Sequence, residues 1–392
     1  MVFEKERTKD IQIFPLSEEK IIEKNQIKDI QVFRSKEGKR NEREKGGEES
    51  RENSMLEALK IFSPGTAMRN AIDDILRANL GALIVIYKEG MSKILEGGFR
   101  VNCKFSPQRL VELAKMDGAI VLSKDLREIL FANVLLVPKA SFKSSETGTR
   151  HQAAERTAKQ FNSLVVAVSE RKNKVTIYLG EDKYVLESTS EILRRATETL
   201  QILEKQKDLF DDSLIHLNIL EVTNLTSTSD VCSVLQRMEI IKRVSDNIRR
   251  YLVELGKEGI IVSMRLRELT RNLNSERELI LKDYFGSDAE RIEDVLSNMN
   301  FDFLLETSNI LRLIFEELRD KIIFPKGYRI LSKASFLEKD LDALIANFEN
   351  LGDIFDADEN TLSQVLGGNS FISPVKKNLD SLKEKILEGK KI

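Results

Sequence analysis

The sequence Met116-Asp117-Gly118-Ala119-Ile120-Val121-Leu122-Ser123 joins a helix-like stretch, residues 107–116, to a short apolar run. The run 119–122 is continuously apolar, which predicts a buried strand. Asp117 then stands at the edge of that strand, where a carboxylate can hold a divalent metal ion. Residues 116–123 therefore predict both a sheet and a candidate metal ligand beside it.

A second motif, Gly148-Thr149-Arg150-His151, follows about 30 residues further along the chain. It ends a loop rich in Ser, Thr and Gly and opens a helix-like stretch, residues 149–161. Backbone N–H groups, a hydroxyl, a guanidinium and an imidazole at a helix start can all bind phosphate. A metal ligand and an anion clamp together are what nucleotidyl transfer requires.

Residues 55–187 alternate helix-like and strand-like segments. A helix is predicted over residues 66–79, with Gly81 as its stop. Strands are predicted at 82–87, 119–122, 134–137, 164–168, 175–179 and 183–186, with a hairpin turn at 180–182. Apolar strands with interleaved helices predict an α/β domain with a mixed central sheet covered on both faces.

From Ser188 onward the apolar residues recur at helical intervals. We expect an all-α linker domain over residues 188–325, joined to the α/β domain by a long helix. A small C-terminal domain, residues 326–392, should hold helices around 341–348, 359–365 and 375–387. Residues 1–54 are dense in Lys, Glu and Arg, and are expected to be a disordered extension.

Composition narrows the class of protein. The chain has 392 residues, is 41% hydrophobic and 32% charged, and carries a net charge of −2, so any nucleic-acid site must be a local patch. Its two cysteines, Cys103 and Cys232, lack metal-ligand spacing. We find no apolar run long enough to span a membrane and no signal peptide, which favours a cytoplasmic protein without a membrane partner.

Several segments in order closely resemble the diadenylate cyclase domain of the DNA integrity scanning (DisA) family. They are Ser63-Pro64-Gly65-Thr66, Gly97-Gly98-Phe99, 116–123, Ala132-Asn133-Val134, Leu136-Val137-Pro138 and 146–151. The resemblance continues at 253–259, 265–270 and 327–331, and so covers about residue 55 to the C-terminus. It implies a diadenylate cyclase that condenses two ATP molecules into cyclic di-AMP and releases two pyrophosphates, coupled to the sensing of DNA structure.

The resemblance also implies roles for individual residues. Asp117 would bind Mg²⁺ or Mn²⁺ and activate the attacking 3′-hydroxyl, and Arg150 and His151 would share in catalysis. The residues expected to contact the nucleotide are Gly118, Leu136, Thr149, Arg150, His151, Gln152, Ala153 and Ser169. One site holds one ATP, so cyclase domains of two subunits must face each other; the family is a homo-octamer.

In this family the C-terminal domain is a RuvA-like helix-hairpin-helix that binds branched DNA. The corresponding turn here is residues 365–370, and it is degenerate because Asn369 stands where the second glycine would be. Asn tolerates a left-handed backbone better than most residues. Lys376, Lys377, Lys383 and Lys385 follow the turn as candidate phosphate contacts.

The main departure from the family is Gln152, because the family pattern is Arg-His-Arg and this chain reads Arg150-His151-Gln152. Glutamine has neither the charge nor the bidentate fork of arginine. Losing a charge-assisted phosphate contact costs about 1.5–3 kcal/mol if the residue binds the nucleotide directly. Arg156 or Arg171 are candidates to supply the missing charge.

Two alternatives to an active cyclase remain open, although the degenerate hairpin argues against DNA binding as the sole function. The chain would be an oligomeric scaffold that binds nucleotide with weak or no turnover, which Gln152 favours, or a DNA-binding protein whose nucleotide site regulates assembly. Dehydrogenase and phosphate-loop ATPase classes are disfavoured, because their glycine-rich fingerprints are absent from the sequence.

Overall fold

The computed structural model describes residues 54–316, 319–334, 336, 338–366 and 372–391. Residues 1–53, which include most of the predicted N-terminal extension, lie outside this range, as do residues 367–371 of the C-terminal region. Among the described helices, none combines the length and the apolar character that crossing a bilayer requires.

An eight-stranded sheet forms the centre of the first domain. The strands are β1 Ala82–Ile86, β2 Leu95–Glu96, β3 Phe99–Lys104, β4 Ala119–Leu122, β5 Glu128–Leu136, β6 Leu164–Ser169, β7 Lys174–Leu179 and β8 Asp182–Leu186. Their order is β2-β5-β4-β1-β6-β7-β8, and β3 also pairs with β5. Only the β1–β4 pair is parallel, so the sheet is mixed, which confirms the predicted fold class.

Helices cover both faces of this sheet. The first-domain helices are α1 at 54–60, α2 Ala67–Arg77, α3 Pro107–Ala114 and α4 Thr149–Phe161. Ile84 of β1 packs in one core with Ile72 of α2 and Leu110 of α3. Its neighbour Leu83 packs in a second core with Ala158 of α4. Successive strand residues point to opposite faces, so both faces of β1 are buried, as the apolar run predicts.

The sequence prediction missed β2, β3 and the first half of β5. β3 is largely exposed and places Arg100, Asn102 and Lys104 in its strand, so no apolar run reveals it. β5 starts at Glu128, whereas the prediction placed its start at residue 134. The prediction began too late because Asn133, with a positive φ, interrupts the alternation of buried and exposed residues along the strand. A run of apolar residues predicts a buried strand, so an exposed strand such as β3 is missed.

An all-α region follows the sheet. Its helices are α5 Thr189–Val222, α6 Thr228–Leu255, α7 Ile260–Leu269, α8 Leu273–Phe285, α9 Ala289–Asn298, α10 Phe301–Leu304 and α11 Thr307–Ile314. Helix α5 has 34 residues and is therefore about 51 Å long. Ser188 caps its start by accepting a hydrogen bond from the Glu191 N–H. The predicted long helix and helical linker are confirmed.

Within the described residues, five further helices form the C-terminal part. They are α12 Tyr328–Leu331, α13 Glu338–Asn347, α14 Leu351–Asp356, α15 Glu359–Leu366 and α16 Ile372–Leu387. Val222 at the end of α5 is buried in the core they share. Of the predicted hairpin turn 365–370, residues 367–370 lie outside the described range. The predicted domain boundaries and the helix-hairpin-helix assignment therefore stay predictions.

A buried ionic cluster joins the C-terminal helices to α5. The Arg329 side chain, 1% exposed, donates to Glu221 Oε2 at 2.5 Å and to Asn218 Oδ1 at 2.6 Å. The carboxylate of Asp283 accepts the N–H groups of Gly327, Tyr328 and Arg329. Burial raises the pKa of Asp283 to about 7, and the nearby Glu221 carboxylate adds to the rise.

We expect Arg329→Met to lower the free energy of unfolding by about 3–5 kcal/mol, because it leaves the Glu221 carboxylate buried without its cation. Urea denaturation would measure the loss. The matched control is Arg312→Met, at an exposed arginine of α11, which should change stability by less than about 0.5 kcal/mol. Equal stability of the two variants would show that the cluster contributes nothing.

Candidate active site

Asp117 and Gly118 form the turn that leads from α3 into β4, and both are exposed. Gly118 has a φ of +94°, which a residue with a side chain rarely adopts. A Cβ atom on Gly118 would lie 2.8 Å from the Asn133 carbonyl carbon and 2.9 Å from the Val134 nitrogen. The turn therefore rests on the backbone of β5, and this close approach fixes the position of Asp117.

A bulge in β5 receives this turn. The register between β4 and β5 shifts from the Ala119–Val134 pair to the Val121–Phe131 pair, so β5 has one extra residue there. Asn133, within the bulge, has a φ of +53°. On its other side, a Cβ atom on Gly98 would lie 2.8 Å from the Asn133 carbonyl oxygen. Two glycine turns thus enclose the bulge.

Strand pairing brings the predicted site residues to one edge of the sheet. Leu83 pairs with Ala119, Ala82 with Val168, and Ala119 with Val134. The starts of β1 and β4 therefore lie beside the ends of β5 and β6, and adjacent strands are about 4.8 Å apart. We call this end of the four strands the sheet edge. It carries the residues next to the paired positions in sequence, which are Asp117, Gly118, Leu136 and Ser169.

The guanidinium of Arg150 reaches the same edge from the start of α4. Its Nη1 donates to the Val168 carbonyl at 3.5 Å. The guanidinium lies against Gly81, directly before β1: a Cβ atom there would lie 2.1 Å from Nη1, so a larger residue would require the Arg150 side chain to shift. The sequence indicated Gly81 only as the end of a helix. Its function in seating Arg150 could not be predicted without the pairing of β1 with β6.

Thr149 and His151 occupy the first turn of α4. Thr149 is exposed and His151 is half-buried. Burial lowers the pKa of His151 below its usual value, whereas the Glu146 carboxylate raises it and the Arg150 guanidinium lowers it. The net fall favours a neutral imidazole near pH 7. A neutral ring can accept a proton or a hydrogen bond as well as donate one.

The side chain of Gln152 is bound to the loop that precedes α4. Its Nε2 donates to the Glu146 carbonyl at 2.8 Å, and its backbone N–H donates to the Gly148 carbonyl at the same distance. Ala153 is half-buried and packs against the core beneath α4. Leu136 is 7% exposed, so any contact that it makes with a nucleotide comes from its main chain.

Ser169 and Arg171 lie at the end of β6, whereas Arg156 lies further along α4. The Ser169 hydroxyl accepts the Lys172 N–H at 3.3 Å, in the turn after β6. Arg171 is exposed in that same turn, and Arg156 is half-buried two turns along α4 from Thr149. Of these three residues, Ser169 and Arg171 are therefore the ones near the end of β6.

The described residues contain no group of three or more His, Cys, Asp or Glu side chains that could enclose a metal ion. Asp117 is the acidic side chain that sequence reasoning placed at this edge. Magnesium commonly binds one or two carboxylates and completes its shell with water and substrate phosphates. A single carboxylate therefore fits a Mg²⁺ or Mn²⁺ ion that arrives with a nucleotide.

Comparison with known proteins shows the family of the chain. A family model described as DisA bacterial checkpoint controller nucleotide-binding matches residues 69–183, and one described as its linker region matches residues 186–317. A DNA integrity scanning protein DisA from Clostridioides difficile is 43% identical over 343 residues, covering 85% of this chain and 96% of its own. The chain belongs to the DisA family. A second relative, from Clostridium beijerinckii, is 40% identical over 85% of this chain and 97% of its own.

Membership in the DisA family confirms the resemblance deduced from the sequence motifs. Residues 69–183 are the diadenylate cyclase domain, and the enzyme class is that of a diadenylate cyclase. Among solved structures, DacA from Staphylococcus aureus is 23% identical over 36% of this chain and 90% of its own, with a TM-score of 0.27. A TM-score this low supports no conclusion about the fold of this chain.

Proposed function

We propose that this diadenylate cyclase joins two ATP molecules across two subunits whose sheet edges face each other. The observation that supports it is the convergence of Asp117, Arg150, Leu136 and Ser169 on one edge. Each 3′-hydroxyl attacks the α-phosphorus of the opposite ATP, and pyrophosphate leaves as the new ester bond forms. Two such steps close the ring and release two pyrophosphates.

Asp117 carries the chemistry on the hydroxyl side. It is exposed and held by the Gly118 turn, so its carboxylate can accept the proton of the attacking 3′-hydroxyl. A Mg²⁺ or Mn²⁺ ion bound there would supply positive charge for the phosphate oxygens. The adenine edge is proposed to contact the main chain of Leu136, at the end of β5.

The start of α4 holds the phosphates. Arg150 Nη1 lies 3.5 Å from the Val168 carbonyl oxygen, and its guanidinium can stabilise the charge that develops on the α-phosphate during transfer. The Thr149 hydroxyl, the free N–H groups of the helix start and His151 offer further donors. Gln152 is occupied by the Glu146 carbonyl, so the phosphate clamp does not depend on it.

Large apolar side chains beside the site support a facing subunit. Leu135 is 62% exposed, Met116 45% and Val137 44%, and these residues flank Leu136 and Asp117 in sequence. Exposed apolar groups around a site are typical of a protein interface. Association of these edges would place two ATP sites opposite each other. Because such a two-fold contact closes at a dimer, the homo-octamer that the resemblance implies would need a second, different interface.

We expect Leu135→Glu to abolish association of the cyclase edges and to reduce cyclic di-AMP synthesis at least about hundredfold, because a buried unpaired charge costs several kcal/mol. ATP binding to the single subunit should survive. Light scattering, calorimetric ATP titration and product mass would measure the three effects.

The matched control is Leu387→Glu, at a leucine 48% exposed on α16. It should leave assembly and synthesis unchanged. Full synthesis by a monomeric Leu135→Glu variant would contradict the two-subunit mechanism. Synthesis by an assembled variant would show that this edge is not the interface.

The C-terminal helices are the proposed contact with branched DNA. Lys376 donates to the Phe355 carbonyl at 2.8 Å, and Lys383 pairs with Asp356 at 3.0 Å. Lys377 and Lys385 are exposed. These two lysines are therefore the proposed phosphate contacts of α16, because their side chains are exposed and lysine commonly binds phosphate oxygens.

A further inference from the structure

We propose that Glu146 is a positioning residue that holds the phosphate-binding turn, residues 148–151, in its active conformation. The inference rests on the proposed function of that turn. In the sequence, Glu146 was noted only as the first residue of the segment 146–151 that resembles the DisA family, and no role was predicted for it. It is the one acidic residue in the loop 139–148, which is otherwise polar, apolar or basic.

The side chain of Glu146 is anchored to two strands of the sheet. Its Oε1 accepts a hydrogen bond from the Tyr178 hydroxyl at 2.9 Å and forms an ion pair with the Lys183 ammonium. Tyr178 is 1% exposed in β7, and Lys183 lies in β8. The anchor is therefore rigid, because it is built on paired strands rather than on another loop.

The backbone of Glu146 is bound as firmly as its side chain. Its carbonyl accepts from Gln152 Nε2 at 2.8 Å, and its N–H donates to Ser144 Oγ at 3.1 Å. Ser144 Oγ in turn donates to Glu155 Oε2 of α4 at 2.5 Å. Glu146 thus connects the sheet to Gln152, directly after the turn that carries Thr149, Arg150 and His151, and through Ser144 to Glu155 of α4.

The charge of Glu146 suits this position. Burial raises the pKa of Glu146, but the hydrogen bonds from Lys183 and Tyr178 outweigh burial and hold it below its usual value. The group is therefore ionised at neutral pH. A bare carboxylate beside bound phosphates would repel them, and the Lys183 ammonium compensates that charge. Glu146 can accordingly position the turn without weakening anion binding.

The charged groups that act on His151 are Glu146, Arg150, Lys183 and Lys172. Glu146 is the one acid among them, and it raises the pKa of the imidazole, whereas the three cations lower it. Removal of its charge should therefore move the titration of His151 further down. A shift of this midpoint shows that the Glu146 charge acts directly on His151 at the start of the phosphate-binding turn.

The test uses Glu146→Gln in the full-length protein, with Glu112→Gln as the matched control. Glu112 is a glutamate on α3 whose side chain is 68% exposed. We expect Glu146→Gln to lower kcat/KM for ATP by about tenfold to hundredfold, since small misplacements of binding groups cost that much. The rate of His151 carbethoxylation, followed by peptide mass from about pH 5 to pH 8, should show a lower midpoint.

Tyr178→Phe is the second variant, because it removes one hydrogen bond to Glu146 and keeps the charge. It should lower kcat/KM less than Glu146→Gln does, which protects the test against a variant that fails to fold. A kcat/KM within twofold of the unmodified protein, or an unchanged His151 midpoint, in Glu146→Gln overturns the proposal. The His151 readout needs no turnover, so an inactive parent protein would refute the cyclase mechanism while the His151 midpoint in Glu146→Gln would still decide this inference.

Discussion

Replacement of Asp117 by Asn is expected to abolish cyclic di-AMP synthesis, with a loss of roughly a thousandfold or more. Asparagine keeps the size of the side chain and loses its negative charge, so it cannot take the 3′-hydroxyl proton and is a poor ligand for Mg²⁺. Asp117 is exposed, and the fold should therefore be unaffected. Product mass after incubation with ATP would measure the loss.

The matched control is Asp125→Asn, at an exposed aspartate beyond the opposite end of β4. It should retain synthesis within about twofold and a similar melting temperature. ATP binding by Asp117→Asn, followed by calorimetry, should persist because the helix α4 contacts are intact. An Asp117→Asn protein that still makes product at near the parental rate would remove Asp117 from the mechanism.

Gly118→Ala is expected to reduce kcat by at least about hundredfold and stability by about 1–3 kcal/mol. The new Cβ would lie 2.8 Å from the backbone of Asn133, which cannot rotate away as a flexible side chain could. The turn must therefore shift and carry Asp117 with it. Steady-state kinetics and urea denaturation would measure the two effects.

Gly97→Ala separates the clash from backbone strain. Gly97 has a φ of +64°, yet a Cβ atom there meets nothing within 4 Å. This variant should lose about 1 kcal/mol of stability from strain alone and keep its kcat. If Gly118→Ala and Gly97→Ala had the same kcat, the close approach of Gly118 to β5 would have no catalytic importance.

Local signals predicted several elements well. The helix predicted over residues 149–161 is α4, and the apolar run 119–122 is β4. These two predictions were correct because an amphipathic helix shows helical spacing of its apolar residues and a buried strand shows a continuous apolar run. The glycine and asparagine positions with positive φ at Gly98 and Asn133 leave a weaker imprint, and the bulge that they enclose was not predicted.

Side-chain direction could not be predicted in the same way. The sequence prediction placed Gln152 among nucleotide contacts because a family arginine occupies that position. In the structure its amide is bound to the Glu146 carbonyl. Likewise, the seat of Arg150 at Gly81 depends on two strands that are far apart in sequence. Such contacts follow from tertiary pairing, which local patterns do not encode.

The position of Gln152 bears on whether the chain turns over or only binds nucleotide. A scaffold without turnover was favoured by the missing arginine charge. However, Gln152 stabilises the loop that presents Arg150 and His151, and those cationic and imidazole groups remain at the helix start. The loss of one charge-assisted contact to phosphate costs about 1.5–3 kcal/mol. We expect this loss to weaken ATP binding and slow cyclic di-AMP synthesis without abolishing it.

The most direct test of this account is incubation of the full-length protein with ATP and Mg²⁺ or Mn²⁺, with products resolved by mass. Cyclic di-AMP and pyrophosphate in a ratio of about one to two is the result that the facing-subunit mechanism predicts. ATP that binds measurably but yields no cyclic dinucleotide with either metal would contradict the mechanism. In that case the sheet edge built by Asp117 and Arg150 would be a nucleotide-binding site alone.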